Sequence, residues 1–438
     1  MSDPDHHPSD VAIRSAALIE RLRTGQARVA VVGLGYVGVP LAVGLAAAGH
    51  TVIGIDLDAS RVGTINAGRS HIEDITGERV RDLVAAGRLA ASTEYLALAD
   101  ADAVIIAVPT PIDVYRVPDL HFVREASASV AAVLASGRLV CLESTSYPGT
   151  TEEIVVGAFA RRGWLPGRDV FIAYSPERID PGNRTWTLAN TPKLVAGVTP
   201  DCLQMAMALY GSVVEQLVAV PTVSTAELSK LFENIFRVVN IALVNELQVI
   251  CDAFGIDVWE VIAACSSKPF GFMPFYPGPG LGGHCVPVDP FYLAWKAREH
   301  EVSTEFIELA GRVNARMPSY VVGKIGRELN SAGLSVSRGR VGVIGVAYKR
   351  NTSDTRESPA IKVLELLLEE GATVVYHDPY VPKLRLGDVE LNSRPLTKDF
   401  VGEQDLVVIL ADHDGIDWQI IRDHARLTVD TRNAIGRA

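Results

Sequence analysis

Short apolar runs that end in polar loops recur along the chain, separated by stretches of helical spacing. This is the pattern of parallel strands alternating with helices. Residues 28–32, 51–55, 103–108 and 139–142 form a first set of strands, and the same order returns at 340–346, 373–376, 405–410 and 427–429. Between the sets, 225–247 contains neither Gly nor Pro and predicts one long helix, apolar around much of its circumference. A helix of that kind needs cover on several sides, which pairing with its copy in a homodimer would supply. The segments expected are an extension at 1–26, a first α/β domain at 27–218, a central helical dimerisation domain at 219–320 and a second α/β domain at 321–438.

The first strand runs into Gly33-Leu34-Gly35-Tyr36-Val37-Gly38 and then an apolar helix, and the second ends at Asp56, 23 residues after Gly33. Strand, glycine turn, helix and distant acid together predict a dinucleotide site. The carboxylate suits a ribose and repels a 2′-phosphate, so NAD is expected over NADP. The fold class is therefore α/β, with two Rossmann-like doubly wound parallel-sheet domains joined by the long central helix and a helical region. Further polar strand ends lie at Pro109-Thr110-Pro111 and Glu143-Ser144-Thr145-Ser146. The second set lacks the glycine fingerprint and carries Lys349, Arg356 and Arg432 at its strand ends, which suits an anion such as a phosphorylated substrate.

Composition narrows the class. With 438 residues and 48% hydrophobic content the chain can bury two or three cores, and no run reads as apolar for long enough to cross a bilayer, so a soluble protein is expected. A net charge of -11 argues against nucleic acid as a partner. Five scattered cysteines fit neither a disulfide framework nor a metal site and suggest a reducing cytoplasm. The first 25 or so residues lack the apolar core of a signal peptide, and His6-His7 reads as a solvated tail.

Cys285 stands in the glycine-rich loop from Gly280 to Pro290, just before a predicted helix at 291–298 whose start Asp289 can cap. That position favours a thiolate, and the alternative is an inert buried Cys beside a tight turn. An NAD site with a thiolate points either to an aldehyde dehydrogenase or to oxidation of an alcohol all the way to an acid, because an aldehyde yields a hydride only after a nucleophile has added to it. Lys230 and Asn234, one helical turn apart, and Asp289 are suitable types for activating an alcohol and holding an oxyanion.

These motifs, with Ser175-Pro176-Glu177-Arg178, Glu227-Leu228-Ser229-Lys230, Gly282-Gly283-His284-Cys285 and Asp354-Thr355-Arg356, occur in the order of the UDP-glucose/GDP-mannose dehydrogenases, which the chain resembles from about Arg28 to its end. The resemblance implies oxidation of the C6 hydroxyl of a nucleotide sugar to a carboxylate with two NAD. It implies Cys285 as nucleophile, Lys230 and Asn234 at the oxyanion, Asp289 and Thr145 in the proton network and Glu177 as the acid-base carboxylate for thioester hydrolysis. It places Gly33, Gly35, Tyr36, Val37, Gly38, Asp56, Arg61, Pro109, Thr110, Thr145 and Arg356 at the cofactor. It places Glu177, Arg178, Lys230, Asn234, Tyr276, Gly280, Gly282, Lys349 and Arg432 at the substrate. UDP-glucose dehydrogenases usually carry a second glutamate where this chain has Pro181, and the string from Glu177 to Asn183 looks like the subgroup acting on UDP-N-acetylhexosamines. UDP-N-acetylglucosamine is the sugar expected first, with UDP-N-acetylgalactosamine, UDP-N-acetylmannosamine and UDP-glucose as alternatives. Asn183 or Arg178 offers the acetamido group a bond partner. The implied setting is a cytoplasmic enzyme supplying a surface-polysaccharide precursor; a non-catalytic nucleotide-sugar sensor on the same fold would be expected to lose Cys285 or Lys230 first.

Overall fold

The computed structural model describes residues 8–113, 117–180, 183, 185–283 and 288–436. The chain forms two compact units, Met1–Phe232 and Glu233–Ala438. The first is built on an eight-stranded sheet of β1 (Arg28–Val32), β2 (Thr51–Ile55), β3 (Leu89–Ser92), β4 (Ala103–Ile106), β5 (Leu139–Leu142), β6 (Phe171–Tyr174), β7 (Lys193–Gly197) and β8 (Leu217–Ala219), in the order β3-β2-β1-β4-β5-β6-β7-β8. The strands pair in parallel except β6 with β7. β4, β5 and β6 are buried along their whole length, which is why they read as continuous apolar runs.

The second unit has a parallel sheet of β9 (Arg340–Ile344), β10 (Thr373–His377), β13 (Leu406–Ile409) and β14 (Thr428–Asp430) in the order β10-β9-β13-β14, with a hairpin of β11 (Lys383–Leu386) and β12 (Val389–Asn392). The two sheets repeat one device. Gly33 follows β1 at φ +96, where a Cβ would meet the Ala107 carbonyl oxygen at 2.4 Å; Gly345 follows β9 at φ +78, where it would meet that of Ala411 at 2.5 Å. In the first turn the Leu34 amide donates to Asp56 at 2.8 Å, and in the second the Val346 amide donates to Asp378 at 2.7 Å. The expected relation between the halves thus extends to their strand-end turns.

The central helix runs over Val223–Phe254, longer at both ends than 225–247. By length and apolar composition it is sufficient to cross a membrane, which corrects the expectation that no run is. Its buried faces nevertheless carry Glu227, Asn234 and Asn245, each hydrogen-bonded within the protein, whereas hydrocarbon would leave such groups without partners. From Glu233 onward the chain belongs to the second unit, and Val244 and Cys251 of the central helix form a small core with Val258 and Ile262 of the helix that follows it. The helix predicted at 291–298 begins earlier, at Asp289. Val288 is its N-cap and offers no side-chain cap, so Asp289 lies inside the first turn instead of at the cap position expected for it.

Candidate active site

The loops after β1, β4 and β5 leave the same end of adjacent parallel strands, and the strand order reverses between β1 and β4. This is the switch point at which such sheets bind ligands. It brings together the 33–38 turn, Pro109, Thr110 and the half-buried Thr145. Gly38 opens the helix Gly38–Ala47, and a Cβ there would sit 1.8 Å from the Gly33 carbonyl oxygen, so this position closes the turn on itself. At Gly35 a Cβ would meet nothing within 4 Å: one glycine shapes the turn from inside and the other leaves its outer surface open. Val37, the N-cap, provides no side-chain cap, and Tyr36 is exposed, which leaves the helix start suited to a diphosphate. Asp56 accepts from the Leu34 and Asp58 amides and lies 3.3 Å from Arg61 Nη1. Bare turn and flanking acid fit a dinucleotide.

The segment Ser175-Pro176-Glu177-Arg178 follows β6. Ser175 Oγ donates to the Leu194 carbonyl at 2.7 Å and Arg178 Nη1 to that of Pro192 at 2.7 Å, fixing this loop against the start of β7. Arg178, expected at the substrate, is thereby drawn to the backbone. Glu177 Oε1 accepts from the Ile179 amide, while Oε2 is buried with no hydrogen-bond partner among the described residues. Asn183 uses its Oδ1 on the Thr185 and Trp186 amides, and Pro181 lies outside the described residues. Sequence reasoning missed Lys193, buried 3.3 Å from Glu143 Oε1: a single Lys before an apolar run reads as a solvated strand edge.

On the central helix Lys230 is half-buried and Asn234, one turn later, is buried and donates through Nδ2 to Asp289 Oδ2. Glu227 is buried as well and accepts from the Gly149 amide at 2.6 Å and the Thr151 amide and hydroxyl at 2.8 and 2.7 Å. Burial pushes its carboxyl up to about 7 despite those donors. Cys285 and His284 lie outside the described residues.

In the second unit the loop before them is held from several sides. The Gly278 amide donates to Asn245 Oδ1 at 3.0 Å, and Asn245 in turn donates to Asn314 at 2.9 Å. A Cβ on Gly278 would meet Arg432 at 2.7 Å, and one on Gly282 would meet Tyr348 Cβ at the same distance. Tyr276 stacks on Trp259 with ring centroids 5.7 Å apart. Trp259, Tyr276, Arg350, Asp412, Arg432 and Asn433 line an open cavity of about 500 Å³. Arg432 and Tyr276, both assigned to the substrate by the resemblance, line this cavity together, with Arg350 and Trp259 as unforeseen neighbours. Arg432 also donates to the Leu410 carbonyl at 2.9 Å, and Lys349 lies over the Tyr348 ring. Arg356 is paired with Asp354 through two bonds of 3.0 Å.

Three sequence models match in succession: the UDP-glucose/GDP-mannose dehydrogenase family NAD binding domain at residues 27–214, its central domain at 224–316 and its UDP binding domain at 342–437. The chain is 37% identical to an NDP-N-acetyl-D-galactosaminuronic acid dehydrogenase of Ralstonia nicotianae, over 92% of this chain and 95% of that one. It is 34% identical to a UDP-N-acetyl-D-mannosamine dehydrogenase of Pyrococcus horikoshii, over 93% and 96%. A solved structure of the UDP-N-acetyl-D-mannosamine dehydrogenase of Pyrococcus horikoshii is similar throughout, with a TM-score of 0.85 over 93% of this chain and 96% of that one at 34% identity.

Proposed function

The chain belongs to the UDP-glucose/GDP-mannose dehydrogenase family, NAD-dependent oxidoreductases acting on nucleotide sugars, and from that premise we propose that it oxidises the C6 hydroxyl of a UDP-N-acetylhexosamine to the carboxylate. The observation that carries the acetamido reading is end-to-end similarity to relatives named for N-acetylmannosamine and N-acetylgalactosaminuronic acid. Those relatives move UDP-N-acetylmannosamine ahead of UDP-N-acetylglucosamine, which sequence motifs alone ranked first. The product would serve polysaccharide assembly.

When bound, NAD supplies the acceptor for the two hydrides that leave C6, one molecule for each. Gly33, Gly35, Gly38 and Asp56 would hold it, with Tyr36, Val37, Arg61, Pro109, Thr110 and Thr145 around it and Arg356 as a further contact. Lys230 and Asn234 supply a cation and an N–H dipole for the C6 oxygen as its proton passes through water to the Asp289 carboxylate, which is bonded to Asn234 and also orients that amide. The Cys285 thiolate adds to the aldehyde carbon to give a thiohemiacetal and, after the second oxidation, a thioester. Water then attacks the thioester carbon, Glu177 takes its proton, and the C–S bond breaks to release the carboxylate. Tyr276, Gly280, Gly282, Lys349 and Arg432 are assigned to the diphosphate and nucleoside, which suits the basic, aromatic cavity described above.

The test is NADH formed per sugar consumed, with UDP-N-acetylmannosamine, UDP-N-acetylgalactosamine, UDP-N-acetylglucosamine and UDP-glucose in parallel, for wild type and Cys285→Ser. Two NADH from an acetamido sugar, lost or greatly slowed in the variant, supports the reading. Two NADH only from UDP-glucose rejects the acetamido assignment, and turnover of none of them favours a nucleotide-sugar sensor.

A homodimer through the central helix and a cytoplasmic setting are part of the same proposal. Phe232, Phe236, Leu243, Ile250 and Phe254 are all exposed on that helix and fall within about 40° of one another at helical spacing. Such a stripe suits a second copy of the chain, and Leu243→Glu should give a monomer by light scattering.

A further inference from the structure

One buried charged cluster of the first unit has no part in the steps above. Glu143 follows β5 and Lys193 opens β7; they are 1% and 4% exposed, and Lys193 Nζ lies 3.3 Å from Glu143 Oε1. The same ammonium donates to the Pro176 carbonyl at 3.3 Å, the peptide that leads directly into Glu177. Its sequence neighbours on either side, Pro192 and Leu194, accept from Arg178 and Ser175. Three consecutive residues of the β7 entry therefore grip the segment that carries Glu177, and the middle one brings a charge.

Stability alone is a weak reason for a buried ion pair, since apolar residues of similar volume serve as well or better. The charge balance offers another reason. Two carboxylates, Glu143 and Glu177, act on one ammonium. Burial opposes the charge on Lys193, but Glu143 and then Glu177 outweigh it and hold the ammonium above its usual range. Burial also pushes the Glu143 carboxyl up against the opposing charge of Lys193, with repulsion from Glu177 adding to the rise. The other titratable groups packed here are Cys141 on β5, Tyr174 on β6, Arg178 and Asp180 in the loop after it, and Tyr210, whose hydroxyl donates to Cys141 Sγ at 3.2 Å. Lys193 is the ammonium with which the two carboxylates interact.

We propose that Lys193, held by Glu143, is a positioning residue for Glu177: it fixes the Pro176 peptide and gives Glu177 a buried counter-charge. The inference rests on the role assigned above to Glu177 in thioester cleavage. In that step the water oxygen bonds to the thioester carbon, the C–S bond breaks with its electrons passing to sulfur, and the water proton goes to Glu177. Lys193 forms no bond to substrate and transfers no electrons. Without its counter-charge, deacylation slows while the earlier oxidations proceed.

The experiment is rapid-mixing NADH formation with the full-length enzyme, NAD and whichever UDP-sugar the wild type turns over. The double variant Glu143→Gln with Lys193→Met removes both charges of the pair together, so that Glu143 is not left as a lone buried charge while Glu177 and the Pro176 carbonyl lose the ammonium. It is expected to release a burst of two NADH per active site, then to turn over at least tenfold more slowly than wild type, with an acyl adduct in the intact mass and a KM for the sugar that falls together with kcat. A merely structural role lowers the burst amplitude without separating it from a slow phase, and that result overturns the proposal. Glu177→Gln is the control: if it gives no burst, the role of Glu177 itself fails, and if it gives a burst that the double variant lacks, only Lys193 is rejected. Glu143→Gln alone decides the matter if the double variant does not fold. With its anchor removed, Lys193 no longer holds the Pro176 peptide in place, so the burst should remain at two NADH while the phase that follows it slows; an unslowed second phase overturns the proposal.

Discussion

Thr151 gives both its amide and its hydroxyl to Glu227, at 2.8 and 2.7 Å, and so ties the loop after β5 to the helix that carries Lys230. The Glu227 carboxyl titrates near 7 because burial raises it more than its donors lower it, whereas in the unfolded chain it titrates near ~4.3. A raised folded pKa contributes stability that is complete below the unfolded value and is lost as pH rises through about 7. Wild type should therefore lose stability between pH 5 and 8 relative to Glu227→Gln, by on the order of 3 kcal/mol. Urea midpoints of both proteins across that range check it, and parallel curves would reject it.

The two glycines of the first turn predict opposite outcomes for the same substitution. Gly38→Ala drives a methyl into the Gly33 carbonyl and should destabilise the first unit, seen as a lower melting temperature with or without cofactor. Gly35→Ala meets nothing within 4 Å, so the melting temperature should hold while NADH binding weakens, as followed by fluorescence titration. Equal NADH affinity in Gly35→Ala would mean that its open side is not the cofactor face.

In the second unit Asp378 holds together three loops. It accepts from the Val346, Ala347, Tyr380 and Val381 amides, and from His413 Nε2 at 3.1 Å. Because the Asn351 amide donates to His413 Nδ1, the ring hydrogen belongs on Nε2 and points at Asp378. Burial alone would raise the Asp378 carboxyl, but the hydrogen bond from His413 and those from the amides outweigh it and hold it below the usual range. Its contribution is present above the unfolded value near ~3.9 and fades as pH falls through the folded one. Asp378→Ala strands these partners and should cost roughly 3–5 kcal/mol in urea at pH 7, with a shallower acid loss than wild type. A change under ~1 kcal/mol would show that water replaces the carboxylate there.

What could be read from the sequence was what repeats at short range. The strands, the 33–38 turn and Asp56 were legible because alternating apolar runs, glycines and one acid lie within 30 or so residues, and the fold places them at one sheet end. Lys193 was not, because its partner Glu143 stands 50 residues away, just past the end of a non-adjacent strand, and no local pattern announces a cation destined for burial. Asp289 was read as a helix cap from its neighbours in sequence, whereas its carboxylate accepts from Asn234, 55 residues upstream. Trp259 and Arg350 share a cavity lining only because the helix, loop and strand end that carry them converge in the second unit.

That Asn234–Asp289 contact makes a last prediction about chemistry. The Asn234 amide donates to one buried carboxylate and, in the proposed mechanism, lends its dipole to the developing oxyanion. Asn234→Asp keeps the shape but replaces the donor by a carboxylate facing Asp289, so the two must share a proton or repel. The oxyanion would then meet negative charge instead of an N–H dipole, and kcat should fall roughly 100- to 1,000-fold with little change in KM for the sugar. If Asn234 serves only to place Asp289, Asn234→Ala and Asn234→Asp should lose similar activity. If it also serves the oxyanion, the Asp variant should be the worse of the two, and raising the pH should widen the gap as the shared proton is lost. Initial rates for both variants at pH 7 and 9 distinguish the cases.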